Sequence, residues 1–196
     1  MMKRKLLQGV AGLFLVPVLG RSVKAQEAKP RLKAPFERVA VVYFTKTGHT
    51  ESVAQSVRYF TGADLFRVET QEPYPQAYRR TTEVVKQEIE DGVERPLKLL
   101  EVDLTQYDVV VLATPTWWHH VSQPLKTWLK SKDFNGKYVL TCNTHGGGGV
   151  MHTREDFEAW AKTSGARLGT HLTVFGSAME NSSEVRSWLR ENEVID

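Results

Sequence analysis

Two short runs, RVAVVYF at 38–44 and DVVVLAT at 108–114, are apolar at almost every position. A strand with one solvated face alternates apolar and polar residues, so a strand without alternation is buried on both faces. It needs helices above it and below it, and helical patterns are what separate the runs. TESVAQSVRYFTG (50–62) places Val53, Ala54, Val57 and Phe60 on one stripe and stops at Gly62. DLFRVET (64–70) reads as a second strand and QEPYPQAY (71–78) as a loop. Residues 79–92 read as a charged helix with Val84, Val85 and Ile89 inward. PTWWHHVS (115–122) reads as a loop after the third strand, and Pro124 suits the first turn of a helix over 123–131. KYVLTCN (137–143) and LGTHLTVFG (168–176) complete five strands. Helices are expected over 154–164 and 182–192, the latter with Val185, Trp188 and Leu189 inward. The alternation predicts one α/β domain of three layers, a parallel sheet between two sets of helices.

The chain's 196 residues carry a net charge of +3, but the surplus sits at one end. Residues 1–25 hold Lys3, Arg4, Lys5, Arg21 and Lys24 and no acid; the remainder has 21 basic against 23 acidic residues, a net −2. The basic balance therefore gives no argument for a nucleic-acid partner. That end reads as a signal peptide: MMKRK, then an apolar LLQGVAGLFLVPVLG of 15 residues, then VKA before Gln26. Its apolar run is too short for a comfortable span, so no stable membrane span is expected after removal. Residues 26–37 read as a linker and 38–196 as the domain. Cys142 is the only cysteine, which rules out an internal disulfide.

In open α/β sheets, ligands sit beyond the carboxyl ends of the strands. Three loops end there. The first, TKTGHT, sets Thr45, Lys46, Thr47, Gly48, His49 and Thr50 between a strand and a helix start. A helix N-terminus with hydroxyl donors and a glycine suits a phosphate held statically, and the loop has neither a GxxxxGK[ST] nor a GxGxxG pattern. The second holds Thr114, Pro115, Thr116, Trp117 and Trp118, with two indoles suited to a flat aromatic ligand, one of them expected to plug the core. The third, Thr144, His145, Gly146, Gly147, Gly148 and Gly149, bares backbone polar groups to a ligand edge. Flavin mononucleotide (FMN) has a phosphate at one end and a hydrogen-bonding ring at the other, and would satisfy all three.

VVYFTKTGHTESVA, YDVVVLATPTWWHHVSQPLKTWL and GKYVLTCNTHGGGG resemble the flavodoxins, in particular short bacterial flavodoxin-like proteins, from Arg38 to Leu189. The resemblance implies a flavodoxin-like fold, with a five-stranded parallel sheet in the order 2-1-3-4-5, and one non-covalent FMN. It assigns residues 45–50 to the phosphate, 114–118 to the ribityl chain and one ring face, and 144–149 to the other side. The expected function is FMN-dependent electron transfer with a protein or quinone partner. An FMN-dependent reductase of a quinone or similar acceptor, and a binding module that has lost flavin, are the alternatives. The leader resembles twin-arginine leaders but has Lys3-Arg4-Lys5 in place of two adjacent arginines; a periplasmic location is expected, with cytoplasmic or membrane-retained forms as alternatives.

Two departures from the family pattern bear on the chemistry. Flavodoxins place a small residue after the ring-stacking aromatic, where this chain has His119 and His120; histidine resists a positive φ, which counts against one-electron chemistry. Residues 113–123 and 143–154 contain no acid but hold His119, His120, His145 and His152. A reduction potential above that of acidic flavodoxins, rising as pH falls, is expected from this. No metal site is expected from these histidines, whose spacing matches no ligand pattern.

Overall fold

The computed structural model describes residues 31–196; the leader and the first residues of the linker lie outside them. Strand β1 (Val39–Tyr43) is buried throughout, as its unbroken apolar run requires. It pairs in parallel with β2 (Asp64–Arg67) on one side and with β3 (Val109–Trp117) on the other. Beyond β3 lie β5 (Tyr138–His145) and the edge strand β6 (Arg167–Phe175), both parallel. The main path is β2-β1-β3-β5-β6, so the expected five-strand order holds once a short extra strand, β4 (His120–Val121), is counted in the numbering.

Strand β4 is the main difference from the sequence reading. PTWWHHVS is not an open loop. Strand β3 runs through Trp117, turns at Trp118 and His119, and returns antiparallel as β4, with Thr116 opposite Val121 and Trp117 opposite His120. Strand β2 is also shorter than expected. Val68 still donates to the Tyr43 carbonyl, after which Thr70 pairs with Leu97 instead of the sheet.

Helices α1 (His49–Thr61) and α5 (Ser183–Glu191) cover one face of the sheet. Val53, Val57 and Phe60 meet Val185, Trp188 and Leu189 there, over Val41, Val111 and Leu140. The other face is covered by α2 (Tyr78–Glu90), α3 (Gln123–Lys130) and α4 (Thr153–Ser164), through Val85, Leu125, Trp128 and Phe157. Gly62 ends α1 in the left-handed region, at φ 73°, its N–H returning to the Arg58 carbonyl.

The linker's described part is docked. Leu32 bridges Ile195, Lys33 donates from its backbone to the Val194 carbonyl, and Phe36 stacks on Tyr138 at 5.6 Å. Among the described residues no helix is long and apolar enough to cross a membrane.

Candidate functional site

At the carboxyl ends of β1, β3 and β5 the chain walls a cavity of about 680 Å³, a size that suits a small-molecule cofactor. All three expected loops reach it. Thr45, Lys46, Thr47, His49, Thr50, Pro115, Thr116, Trp117, Trp118, Thr144, His145 and Gly146 line it. Its titratable lining residues include Lys46, His49, His119 and His145, and no Asp or Glu. Such a wall favours an anion.

The threonine loop owes its shape to Gly48, which caps α1 from the left-handed region at φ 90°. Gly48 donates its N–H to Thr45 Oγ1 at 3.0 Å, and no side chain caps the helix. The start of α1, with its outward N–H groups and partial positive charge, is left to a ligand. Thr45 Oγ1 accepts within the loop, so its own proton is available for donation. Thr50 and Thr144, both buried, share a hydrogen bond at 2.8 Å across 94 residues of sequence, and one of the two protons remains. Lys46 Nζ donates to the Gln76 carbonyl at 3.0 Å, which keeps its charge at the rim without a carboxylate.

One of the two tryptophans, Trp117, packs against the core, as expected. Trp117 packs edge-on against Phe44 at 5.2 Å and Tyr74 at 4.8 Å. Tyr74 donates to Glu88 at 2.6 Å, with Arg95 closing the ion pair at 2.6 Å. Burial, then the hydrogen bond to that carboxylate, push the Tyr74 phenol well above its ordinary range. Trp118 is 43% exposed and is tethered by its Nε1–H to the Thr82 carbonyl at 2.7 Å. Trp118 and His119 take φ of 45° and 72°, the two positive values of a type I′ hairpin turn. The expected resistance of histidine to this conformation is therefore overcome by the hairpin.

The glycine loop is organised by His145, whose Nδ1 accepts the N–H of Gly147 at 3.1 Å and of Gly149 at 3.0 Å. Only Gly146 of the four glycines faces the cavity; Gly147, Gly148 and Gly149 fold around His145 and do not line it. Gly48 acts through its backbone and Thr114 is fully buried, so neither lines it. Thr114 Oγ1 instead donates to Ser122 Oγ at 2.9 Å and accepts the Ser122 N–H at 3.0 Å, tying β3 to the turn before α3.

The sequence reading did not place Gln76, Tyr78, Thr81, Thr82, Val85 and His119 on the wall, yet all line it. The α2 segment carried no ligand signal; only its approach to the switch in strand order brings it there.

The histidine cluster also differs from expectation. His120 Nδ1 lies 3.0 Å from Asp156 and His152 Nδ1 2.6 Å from Glu155. These acids stand just past the acid-free windows. Burial raises the Asp156 pKa, but hydrogen bonds from Lys126, the Val121 N–H and His120 outweigh it, holding the carboxyl below its ordinary range. His120 and His152 thus serve carboxylates, while His119 and His145 face the cavity. Among the described residues no group of three or more His, Cys, Asp or Glu is placed to hold a metal. Cys142 is buried in the sheet, which pushes its thiol up to about 12, so thiol chemistry has no role here.

Comparison with known proteins bears on the family and the fold. The sequence pattern of the family described as Flavodoxin matches residues 38–191. The chain belongs to the flavodoxin family. A flavoprotein from Lactobacillus acidophilus NCFM, solved in complex with FMN, is 19% identical, with a TM-score of 0.63 over 78% of this chain and 98% of that one. A Bacteroides uniformis ATCC 8492 protein assigned as a flavoprotein is 20% identical, with a TM-score of 0.68 over 79% and 99%. Oxidised flavodoxin 2 from Bacillus cereus is 16% identical, with a TM-score of 0.52 over 79% and 97%. At these identities the likeness is one of fold. No curated protein matches the chain. Residues 31–37 and 192–196 stand outside the flavodoxin match and pair with each other.

Proposed function

We propose that this flavodoxin-family chain binds FMN and passes electrons between redox partners. The observation that carries the reading is the cavity itself: an uncapped helix start with threonine donors at one end, an exposed tryptophan at the other, and no carboxylate in its wall. The start of α1 with Thr45, Thr47 and Thr50 would hold the phosphate, Pro115 and Thr116 the ribityl chain, Trp118 a ring face, and His145 with Gly146 the ring edge. The flavin, when bound, supplies the redox chemistry; the chain binds and orients it and sets its electrostatics. Lys46, His49, His119 and His145 favour a reduced, more negative ring, which supports a potential above that of acid-rimmed flavodoxins. A midpoint potential measured from pH 6 to 8 tests this, and a very low, pH-independent value counts against it.

The test of the function is the visible spectrum of protein purified without added flavin. A two-banded flavin spectrum, with FMN released on heating, supports the reading. A colourless protein that takes up no added FMN sinks it and favours the flavin-free binding module. Reduction of a small planar acceptor is a second reading, favoured by Tyr78, 83% exposed, which lines the same cavity as Trp118. Turnover of a soluble quinone, absent with protein acceptors, would select it. Periplasmic export is part of the proposal through the leader alone, and cell fractionation tests it.

A further inference from the structure

Beneath the cavity floor runs a chain of part-buried hydrogen bonds that the flavin reading does not use. Asn143 on β5 is fully buried. Its Nδ2 faces Thr116 Oγ1 at 2.6 Å and the Gly149 carbonyl at 3.2 Å. A carbonyl oxygen only accepts, so the atom facing Gly149 is the amide nitrogen and the orientation of the amide is fixed. Asn143 Oδ1 is then left facing His171 Nε2 of β6 at 2.8 Å, and must receive that nitrogen's proton. A neutral imidazole has one N–H, so His171 Nδ1 accepts from Thr141 Oγ1, 2.8 Å away. Every link points the same way: Thr141 donates to His171, His171 to Asn143, and Asn143 to Thr116. Chains of one polarity strengthen each member.

The last link lines the cavity. Thr116 Oγ1 already accepts from Asn143, so its own proton cannot return along the chain. We propose that Asn143 and His171 are positioning residues that commit the Thr116 hydroxyl to donate into the cavity, to a fixed acceptor atom of the ligand. The proposal rests on the flavin reading and deepens it: the donor sense of Thr116 is dictated by a side-chain relay that reaches back to β6. A flavin offers ring carbonyls, ring nitrogens and ribityl oxygens to such a donor. The same chain fastens the Gly149 carbonyl, so the glycine loop and Thr116 are held by one amide.

The test uses the whole chain with FMN as the probe, following affinity by quenching of flavin fluorescence and the position of the visible bands. Unfolding of the flavin-free protein is measured in parallel. Thr116→Val removes the donor at nearly constant volume and is expected to weaken FMN about five- to tenfold, with a band shift. Thr116→Ser restores both. His171→Leu removes the donor to Asn143 Oδ1 and leaves the amide held through Nδ2 alone, so its bond to Thr116 loosens; it weakens FMN when Thr116 is present and adds little in the Thr116→Val background. That coupling is what an unrelated structural defect would not show. Equal weakening by His171→Leu in both backgrounds overturns the proposal, as does unchanged affinity in Thr116→Val. If His171→Leu does not fold, the Thr116→Val and Thr116→Ser pair decides alone. Wild-type protein that takes up no FMN would instead defeat the flavin reading itself, an outcome distinct from either.

Discussion

Gly48 and Gly148 look alike in the sequence but carry different constraints. A Cβ at Gly48 would meet nothing within 4 Å, yet its φ of 90° is one that L residues rarely adopt. At Gly148 the backbone is unremarkable and a Cβ would come within 3.0 Å of the Met151 side chain, whose far end can move. Gly48→Ala should therefore destabilise the flavin-free protein by about 1 kcal/mol through strain alone. Gly148→Ala should stay within about 0.5 kcal/mol. Urea unfolding of the two variants checks the ranking, and the reverse order would refute it. The threonine loop was legible because strand, hydroxyl turn and helix start follow one another within a few residues. The burial of Thr114 was not, because its cover, Ser122, arrives through a hairpin that no residue type announced.

That hairpin shows what an element can hide. Two-residue turns of this type are normally marked by Asn-Gly or Asp-Gly, and here the turn is Trp118-His119. His119→Gly should relieve strain at φ 72° and raise stability by about 0.5–1 kcal/mol; a lowered melting temperature would argue against the strain. Strand β6 carries a second hidden feature. His171 is held neutral, its pKa pushed down to about 4 from 6.5 by burial and then by the charge of Arg154 on α4. As pH falls below 6.5 the unfolded chain takes up a proton at this position while the folded chain does not. Stability is therefore complete above pH 6.5 and is lost as pH falls toward 4. Wild type should lose more melting temperature than His171→Gln between pH 7 and pH 5, since glutamine does not titrate. Equal slopes would show that His171 is not the group responsible. The alternating elements themselves were legible in the apolar runs. The pairing of His120 with Asp156 was not, because it joins a hairpin to the first turn of α4, 36 residues away.

At the scale of the molecule, the sheet puts its chemistry at one end and residues 31–37 and 192–196 at the other. Thr45, Thr116 and Thr144 lie at the carboxyl ends of β1, β3 and β5, while Phe36 stacks on Tyr138, the first residue of β5. Residues read as linker lie there against a C-terminal segment that the family pattern does not include. Val194 and Ile195 are nonetheless buried in the core shared by α1 and α5. The parallel sheet could be read from the alternation of strands and helices, and its strand order from the family resemblance. The clasp between the two ends could not, because a single bridge between Leu32 and Ile195 has no periodicity. Truncating a buried isoleucine to alanine costs about 2–5 kcal/mol. Ile195→Ala should therefore lower the melting temperature of the flavin-free chain by several degrees. Because the clasp and the cavity lie at opposite ends of the sheet, FMN affinity at 25 °C should stay within about twofold of wild type. Loss of flavin in proportion to loss of stability would show that the clasp and the cavity are coupled through the sheet, and that the C-terminal residues belong to the site's support.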